Sequence, residues 1–148
     1  MITTREDGYE LSTDPERLDI ALVHHWLSTD AFWALGRSRE TVEQSVRASL
    51  NFAVHNAGGS QVAYARVVTD WATFAWLCDV YVAPAHRGKG LGTWLAGAVR
   101  DHLAPYKIKR VLLSTLDAHG IYAKVGFAPH PKPEHLMILN PEQRVERA

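Results

Sequence analysis

One stretch in the middle of the chain constrains its folding more than any other. An aromatic and β-branched run, "TFAWLCDVYVA" (73–83), leads straight into "PAHRGKGLGTWL" (84–95), and an amphipathic pattern continues to Pro105. The run has the composition of a central strand. The pattern after it places Leu91, Trp94, Leu95, Ala98, Val99 and Leu103 at helical spacing. Between the two stand Gly88, Gly90 and Gly92, interleaved with Arg87 and Lys89. Glycine costs roughly 0.5–1 kcal/mol against alanine inside regular structure, and three of them exceed the need of a helix cap. A strand, a basic glycine turn and a helix start make an anion site: the first helical N–H groups lack partners, the helix dipole favours negative charge, and absent side chains let a phosphate reach the backbone. The plainer reading is a helix entry that only needs flexibility.

The spacing separates this turn from two better-known phosphate loops. A Walker A loop would need Ser or Thr after its lysine and a glycine upstream, whereas Gly90 follows Lys89. Gly88, Gly90 and Gly92 read G-x-G-x-G, not the G-x-G-x-x-G of a dinucleotide fold. The remaining elements are those of one α+β domain spanning 1–148. "GYELST" predicts a short first strand, and "STDPERLDIALVHHWLS" a helix with Asp14 as N-cap, Pro15 first, and Leu18, Ala21, Leu22 and His25 on one face. "SRETVEQSVRASL" predicts a second helix capped by Ser38, with Val42, Val46 and Leu50 apolar. "FAVHN" and "QVAYARVVTD" form a hairpin around residues 57–60. "RVLLST" predicts a further buried strand, "HGIYAKVGF" a short helix and "LMILN" a last strand. In the short helix Asp117 reads as a cap, Gly126 as a left-handed terminator and Phe127 as its apolar contact. This order gives a mixed, mostly antiparallel sheet with helices on both faces, not a regular βαβ alternation.

Charge and composition remove several classes of function. Sixteen basic residues balance sixteen acidic ones, so no global field draws the chain to nucleic acid or an anionic membrane. The opening "MITTREDGYE" lacks the apolar core of a signal peptide, and no apolar run approaches the roughly 20 residues of a membrane span. Cys78 is the single cysteine, and cytoplasm is the expected compartment. His24 and His25 point about 100° apart on a helix, and "HPKPEH" (130–135) lacks the spacing of a known metal site, so no metal is expected.

Arg87, Gly90 and Gly92 match the R/Q-x-x-G-x-G/A signature of the GNAT superfamily of N-acetyltransferases, and the chain resembles that family over nearly its whole length. "DAHGIYAKVGF" is similar to the family's late segment, with Tyr122 four residues before Gly126. The resemblance implies acetyl-CoA as co-substrate, held through residues Arg87, Gly88, Lys89, Gly90, Leu91, Gly92 and Thr93 at its pyrophosphate. It also implies a bulge in the central strand that splays two strands apart, with Val80, Tyr81 and Val82 binding the pantetheine arm through their backbone. Tyr122 would protonate the departing thiolate; a packed core tyrosine is the alternative. Thiol and phenol pKa values, near 8.5 and 10, are close enough for that exchange.

The proton of the acceptor amine needs a destination. Some relatives carry a glutamate in the central strand where this chain has Trp76 and Cys78. Asp79 is the nearest carboxylate and fits an acidic position of many relatives; it reads either as the base or as a partner for backbone N–H groups. Asp70 and His119 are further candidates acting through water, histidine being the side-chain type that titrates near neutrality. Family members place the acceptor between the first helices and the sheet, so Phe32 and Trp33 are expected to wall that pocket and to suit a small amine with an apolar body. The partners implied are acetyl-CoA and an amine acceptor, with no nucleic acid or membrane; a homodimer is left open. A GNAT-fold acyl-CoA sensor without turnover would keep Arg87, Gly90 and Gly92 as well, and differs over Tyr122 and the base.

Overall fold

Six strands form one sheet in sequence order, β1 (Ile2–Thr4), β2 (Glu10–Ser12), β3 (Leu50–His55), β4 (Gln61–Thr69), β5 (Phe74–Val82) and β6 (Arg110–Leu113). Every neighbouring pair is antiparallel except β5 and β6, which run parallel because a helix connects them. The helices are α1 (Ile20–Thr29), α2 (Arg39–Arg47), α3 (Leu91–Leu103) and α4 (His119–Ala123). This computed structural model describes residues 1–139.

Both faces of the sheet are covered, each by a different part of the chain. Against one face lies α3, whose Leu91, Leu95, Val99 and Leu103 recur every fourth residue and are buried on Phe52, Val54, Ala65, Val67 and Leu77. Each such side chain contributes roughly 1.5–3 kcal/mol on burial. Tyr122 and Phe127 join that layer from the α4 segment. Against the other face lie α1 and α2, with Val23, Trp26, Leu27, Val42 and Val46 closing over Tyr64 and Tyr81.

The first helix departs from its expected form. Asp14 caps only a 3-10 turn, Pro15–Arg17, by accepting from the Glu16 N–H at 3.0 Å. Leu18 then returns to extended backbone, and Asp19 supplies a second cap by accepting from the Leu22 N–H at 3.0 Å. The buried face is therefore Val23, Trp26 and Leu27; of the expected face, Leu18 and Leu22 pack partly against it, while Ala21 and His25 are exposed. Trp26 decides the matter: it stacks on Tyr81 with ring centroids 5.3 Å apart. A large aromatic gains more from the sheet than the smaller residues of the expected face.

Other expectations divide similarly. The α2 helix begins after Ser38, whose hydroxyl accepts from the Thr41 N–H at 3.1 Å, but it ends before Leu50, which opens β3. The helix α4 is capped at Ala118 without help from Asp117; Thr115 Oγ1 accepts from the Ala118 N–H instead. Gly126 is left-handed at φ +108°, and Phe127 packs edge-on against Tyr122, as expected. β6 is an edge strand and only half-buried, because nothing pairs with its outer side among the described residues. The expected last strand is absent over 136–139, where Met137, Ile138 and Leu139 are exposed; Asn140, its final residue, lies outside the described residues.

Candidate active site

The site begins at an irregularity in β5. Tyr64 pairs with Tyr81 and Arg66 with Cys78, so Ala65 alone stands opposite both Asp79 and Val80. That is a β-bulge, and Asp79 occupies it with a left-handed backbone at φ +51°. A bulge bends its strand and re-aims its side chains. Here the bend coincides with the end of pairing between β5 and β6. Their ladder covers only Phe74–Leu77 against Arg110–Leu113, so among the described residues the strand has no partner on the β6 side from Cys78 to Val82. Val80 and Val82 sit half-buried against the α3 layer, and the Tyr81 ring is buried among α1 and α2. What these residues offer to the opening is backbone.

The strand runs on through a 3-10 turn (Pro84–His86) into the glycine turn. Gly88 and Gly90 have φ values of +79° and +76°, which L side chains rarely adopt. Gly90 is the N-cap of α3 and offers no capping side chain, so the amides of Leu91, Gly92 and Thr93 are left to an outside acceptor. The Leu91 side chain itself is core. Several side chains hold the turn in place. Arg87 donates through Nε to the Val82 carbonyl at 2.9 Å and through Nη2 to Asp30 at 3.1 Å, and lies over the Tyr81 ring. Arg5 donates to the Lys89 carbonyl at 3.0 Å and stacks over Trp94. The Lys89 ammonium lies 3.5 Å from the Tyr9 hydroxyl, which is hydrogen-bonded to His86. Asp30 also accepts the Tyr81 hydroxyl at 2.5 Å. These bonds, from Tyr81 first and Arg87 second, hold the Asp30 carboxyl below its usual range. Burial and the bond to Asp30 push the Tyr81 phenol up to about 12.

At the bulge, the Asp79 carboxylate is surrounded by donors. Arg66 Nε donates to Oδ2 at 2.7 Å, Arg37 Nη1 donates to the same oxygen at 2.7 Å, and the Trp33 indole N–H donates to Oδ1 at 2.8 Å. Its side chain is 2% exposed. Burial alone would push the Asp79 pKa up, but the bonds and charge from Arg66 and Arg37 more than offset that and leave it below the usual carboxylate range. Cys78 beside it moves the other way, raised by burial. Phe32 and Trp33 meet edge to face at 5.1 Å in the segment joining α1 to α2, and both remain largely exposed.

Across the opening, α4 lies against the first turn of α3, where a Cβ added to Gly92 would stand 3.7 Å from Ile121 Cδ1. Tyr122 is half-buried beside Phe127, and burial, aided by the charge of Asp117, raises its phenol pKa. His119 is exposed at the start of the same helix, three residues earlier and so on the same side. The glycine turn thus follows the part of β5 beyond its pairing with β6, Tyr122 packs in the same layer as Val80, Val82 and Leu91, and the Asp79 cluster with Trp33 lies on the α1–α2 side. Asp70 stands apart, in the β4–β5 turn, bonded to Thr73. Sequence reasoning missed Arg37, Arg66, Asp30 and Arg5, because nothing in local spacing links residues that far apart to Asp79, Arg87 or the turn.

The model of the acetyltransferase (GNAT) family matches residues 20–127, which include the bulge, the glycine turn and Tyr122. The chain belongs to the GNAT acetyltransferase family. A GNAT protein of Xanthomonas campestris pv. campestris, known from its crystal structure and described as an acetyltransferase, is 41% identical with a TM-score of 0.85, over 93% of this chain and 95% of that one. A Gibberella zeae protein named as an acetyltransferase is 30% identical over 140 residues, 82% of this chain and 78% of that protein. A Clostridium acetobutylicum protein described as an acetyltransferase and crystallised with acetyl-CoA shares the fold at a TM-score of 0.68, with 15% identity over 97% of this chain and 98% of that one. As a GNAT member, this chain has the family's mixed sheet with helices on both faces.

Proposed function

We propose that this GNAT protein transfers the acetyl group of acetyl-CoA to a primary amine of a small molecule or peptide, by direct transfer with both substrates bound. The observation that carries this reading is the continuity of the opening: unpaired β5 backbone from Cys78 to Val82 leads into a glycine turn whose helix presents free N–H groups. The pyrophosphate belongs at that turn, on the amides of Gly88 and residues 90–93, with Arg87 and Lys89 supplying positive charge. The pantetheine arm belongs along Val80, Tyr81 and Val82, whose amides continue the strand's hydrogen-bonding pattern to it. One of those amides polarises the thioester carbonyl.

In the transfer the amine nitrogen attacks the thioester carbonyl carbon, the C–N bond forms and the C–S bond breaks. Tyr122 gives its hydroxyl proton to the departing sulfur. Its raised pKa keeps it protonated at neutral pH, as an acid must be. The ammonium proton leaves to His119 through water, or to solvent. Asp79 is better suited to positioning than to proton transfer: a carboxylate held by two guanidinium groups and an indole is a weak acceptor. It fixes the bulge from which the Val80 and Tyr81 backbone is presented. Phe32 and Trp33 form the wall for the acceptor's apolar body.

Acetyl-CoA binding is measured by thermal unfolding. At 100 times its dissociation constant the ligand adds about 2.7 kcal/mol to stability, and the melting temperature rises accordingly. In Gly90→Val the protein stays folded and the rise is lost, because a β-branched residue at φ +76° both strains the turn and fills the phosphate's approach. No rise with any acyl-CoA at millimolar concentration in the unaltered protein overturns the proposal.

A further inference from the structure

The Asp79 cluster does not balance its charge. Arg37 and Arg66 bring two positive charges to one carboxylate, and the remaining partners, Trp33 and Ser49, are neutral. No second carboxylate bonds either guanidinium among the described residues. The surplus is also reachable: the Arg37 and Arg66 side chains are 20% and 16% exposed above a carboxylate that is sealed. A partly buried surplus guanidinium charge is costly unless something anionic meets it, and a carboxylate fits its planar fork in two parallel bonds.

The surroundings of that charge are apolar. Trp33 gives its N–H to Asp79 while 43% of its surface stays exposed, and Phe32 beside it is 56% exposed. Along the sheet, the pair Arg66–Cys78 is followed on the same face by the pair Val68–Trp76, whose side chains α1 and α2 leave uncovered. Asp79 also directly precedes Val80–Val82, along whose backbone the pantetheine arm and thioester are placed above. We infer that the acceptor is an amine carrying both a carboxylate and a large apolar group, of the class of an apolar α-amino acid, with its carboxylate on Arg37 and Arg66. This rests on the transfer reading of the site and names its substrate class.

Three consequences agree with that assignment. An α-amino group lies a short reach from its own carboxylate, which brings it beside the bulge and the thioester. The apolar side chain then covers Trp33, Phe32 and Trp76. The surplus positive charge disfavours the ammonium form of a nearby amine, so the nucleophile is delivered neutral with less demand on a base. A polyamine or a lysine-rich peptide meets the same charge as repulsion.

Binding of the reaction product tests the assignment without relying on turnover. N-acetyl-L-phenylalanine and N-acetylphenethylamine differ only by the carboxylate, and each is titrated calorimetrically into the protein saturated with CoA. The carboxylated compound binds at least about tenfold more tightly, as expected for charged hydrogen bonds. In Arg37→Gln, which leaves Arg66 on Asp79, that preference falls by about the same factor while CoA affinity is unchanged. Equal affinity for the two compounds, or binding of neither at millimolar concentration to a CoA-loaded protein, overturns the assignment. Acetylation of spermidine in preference to L-phenylalanine overturns it too, yet leaves the transfer reading standing. Failure to bind CoA at all removes the transfer reading, and this assignment with it.

Discussion

Asp79 carries a left-handed backbone, two guanidinium groups and an indole N–H on one side chain, and those bonds set what replacing it does. Asparagine keeps the shape but removes the charge, leaving Arg37 and Arg66 partly buried and unpaired. Losing one partner of a buried ion pair costs about 3–5 kcal/mol, so Asp79→Asn lowers the melting temperature by roughly 10 °C for a chain of this size. The dependence on pH has a fixed sign. The folded pKa is depressed below the unfolded value near 3.9, so the stabilisation is complete above that value and is lost as pH falls through the folded one. The gap between the two proteins' melting temperatures therefore begins to narrow below about pH 4 and closes as pH falls through the folded pKa; a gap that stays constant as pH falls contradicts the ion-pair account. The acidic limb of the pH–rate profile survives in Asp79→Asn, because the proton goes elsewhere. Tyr122 behaves oppositely. Tyr122→Phe removes one oxygen that has no hydrogen bond among the described residues, so stability and acetyl-CoA affinity change little. Turnover falls about 10²–10⁴-fold, the usual worth of a general acid, and steady-state rates with saturating acetyl-CoA measure it. Sequence reasoning reached Tyr122 and Asp79 as positions, but the work of Asp79 depends on Arg37 and Arg66. Those arginines are 42 and 13 residues away from it.

Among the elements, α2, α3 and the β3–β4 hairpin were legible because local signals and tertiary packing agree there. Ser38 caps α2 as its position suggests, and the fourfold spacing of α3 is the face that the sheet buries. The helix α1 was read one register off, because a second aspartate restarts it and because Trp26 stacks on a tyrosine 55 residues away. That difference is measurable. Leu27 is fully buried and His25 exposed, so Leu27→Ala costs about 2–5 kcal/mol while His25→Ala stays within about 0.5 kcal/mol. Equal costs in denaturant titrations would restore the expected face. The bulge in β5, implied by the family resemblance, could not be read from the strand itself. Nothing in "WLCDVYV" distinguishes a bulged strand from a regular one until the β4 register is known.

At the scale of the molecule, the proposed function rests on where the sheet stops pairing. β5 is held on one side by β4 along its length and on the other by β6 only up to Leu77. The remaining edge is a row of peptide groups without a strand partner among the described residues; it leads into the glycine turn where the pyrophosphate is proposed to bind. The mixed, mostly antiparallel sheet with helices on both faces could be anticipated from the sequence, whereas β1, ahead of the expected first strand, could not. The half-burial of β6 and the exposed Met137, Ile138 and Leu139 could not, since an aliphatic run of that length reads the same whether or not it pairs. Release of the CoA thiol tests the account most directly. With acetyl-CoA and a panel of amines and amino acids, thiol appears at a rate that saturates with the amine, the acetyl group is recovered on that amine, and Tyr122→Phe slows both together. Tight acetyl-CoA binding with no amine-dependent thiol release from the unaltered protein would contradict the account and make the chain a binding module.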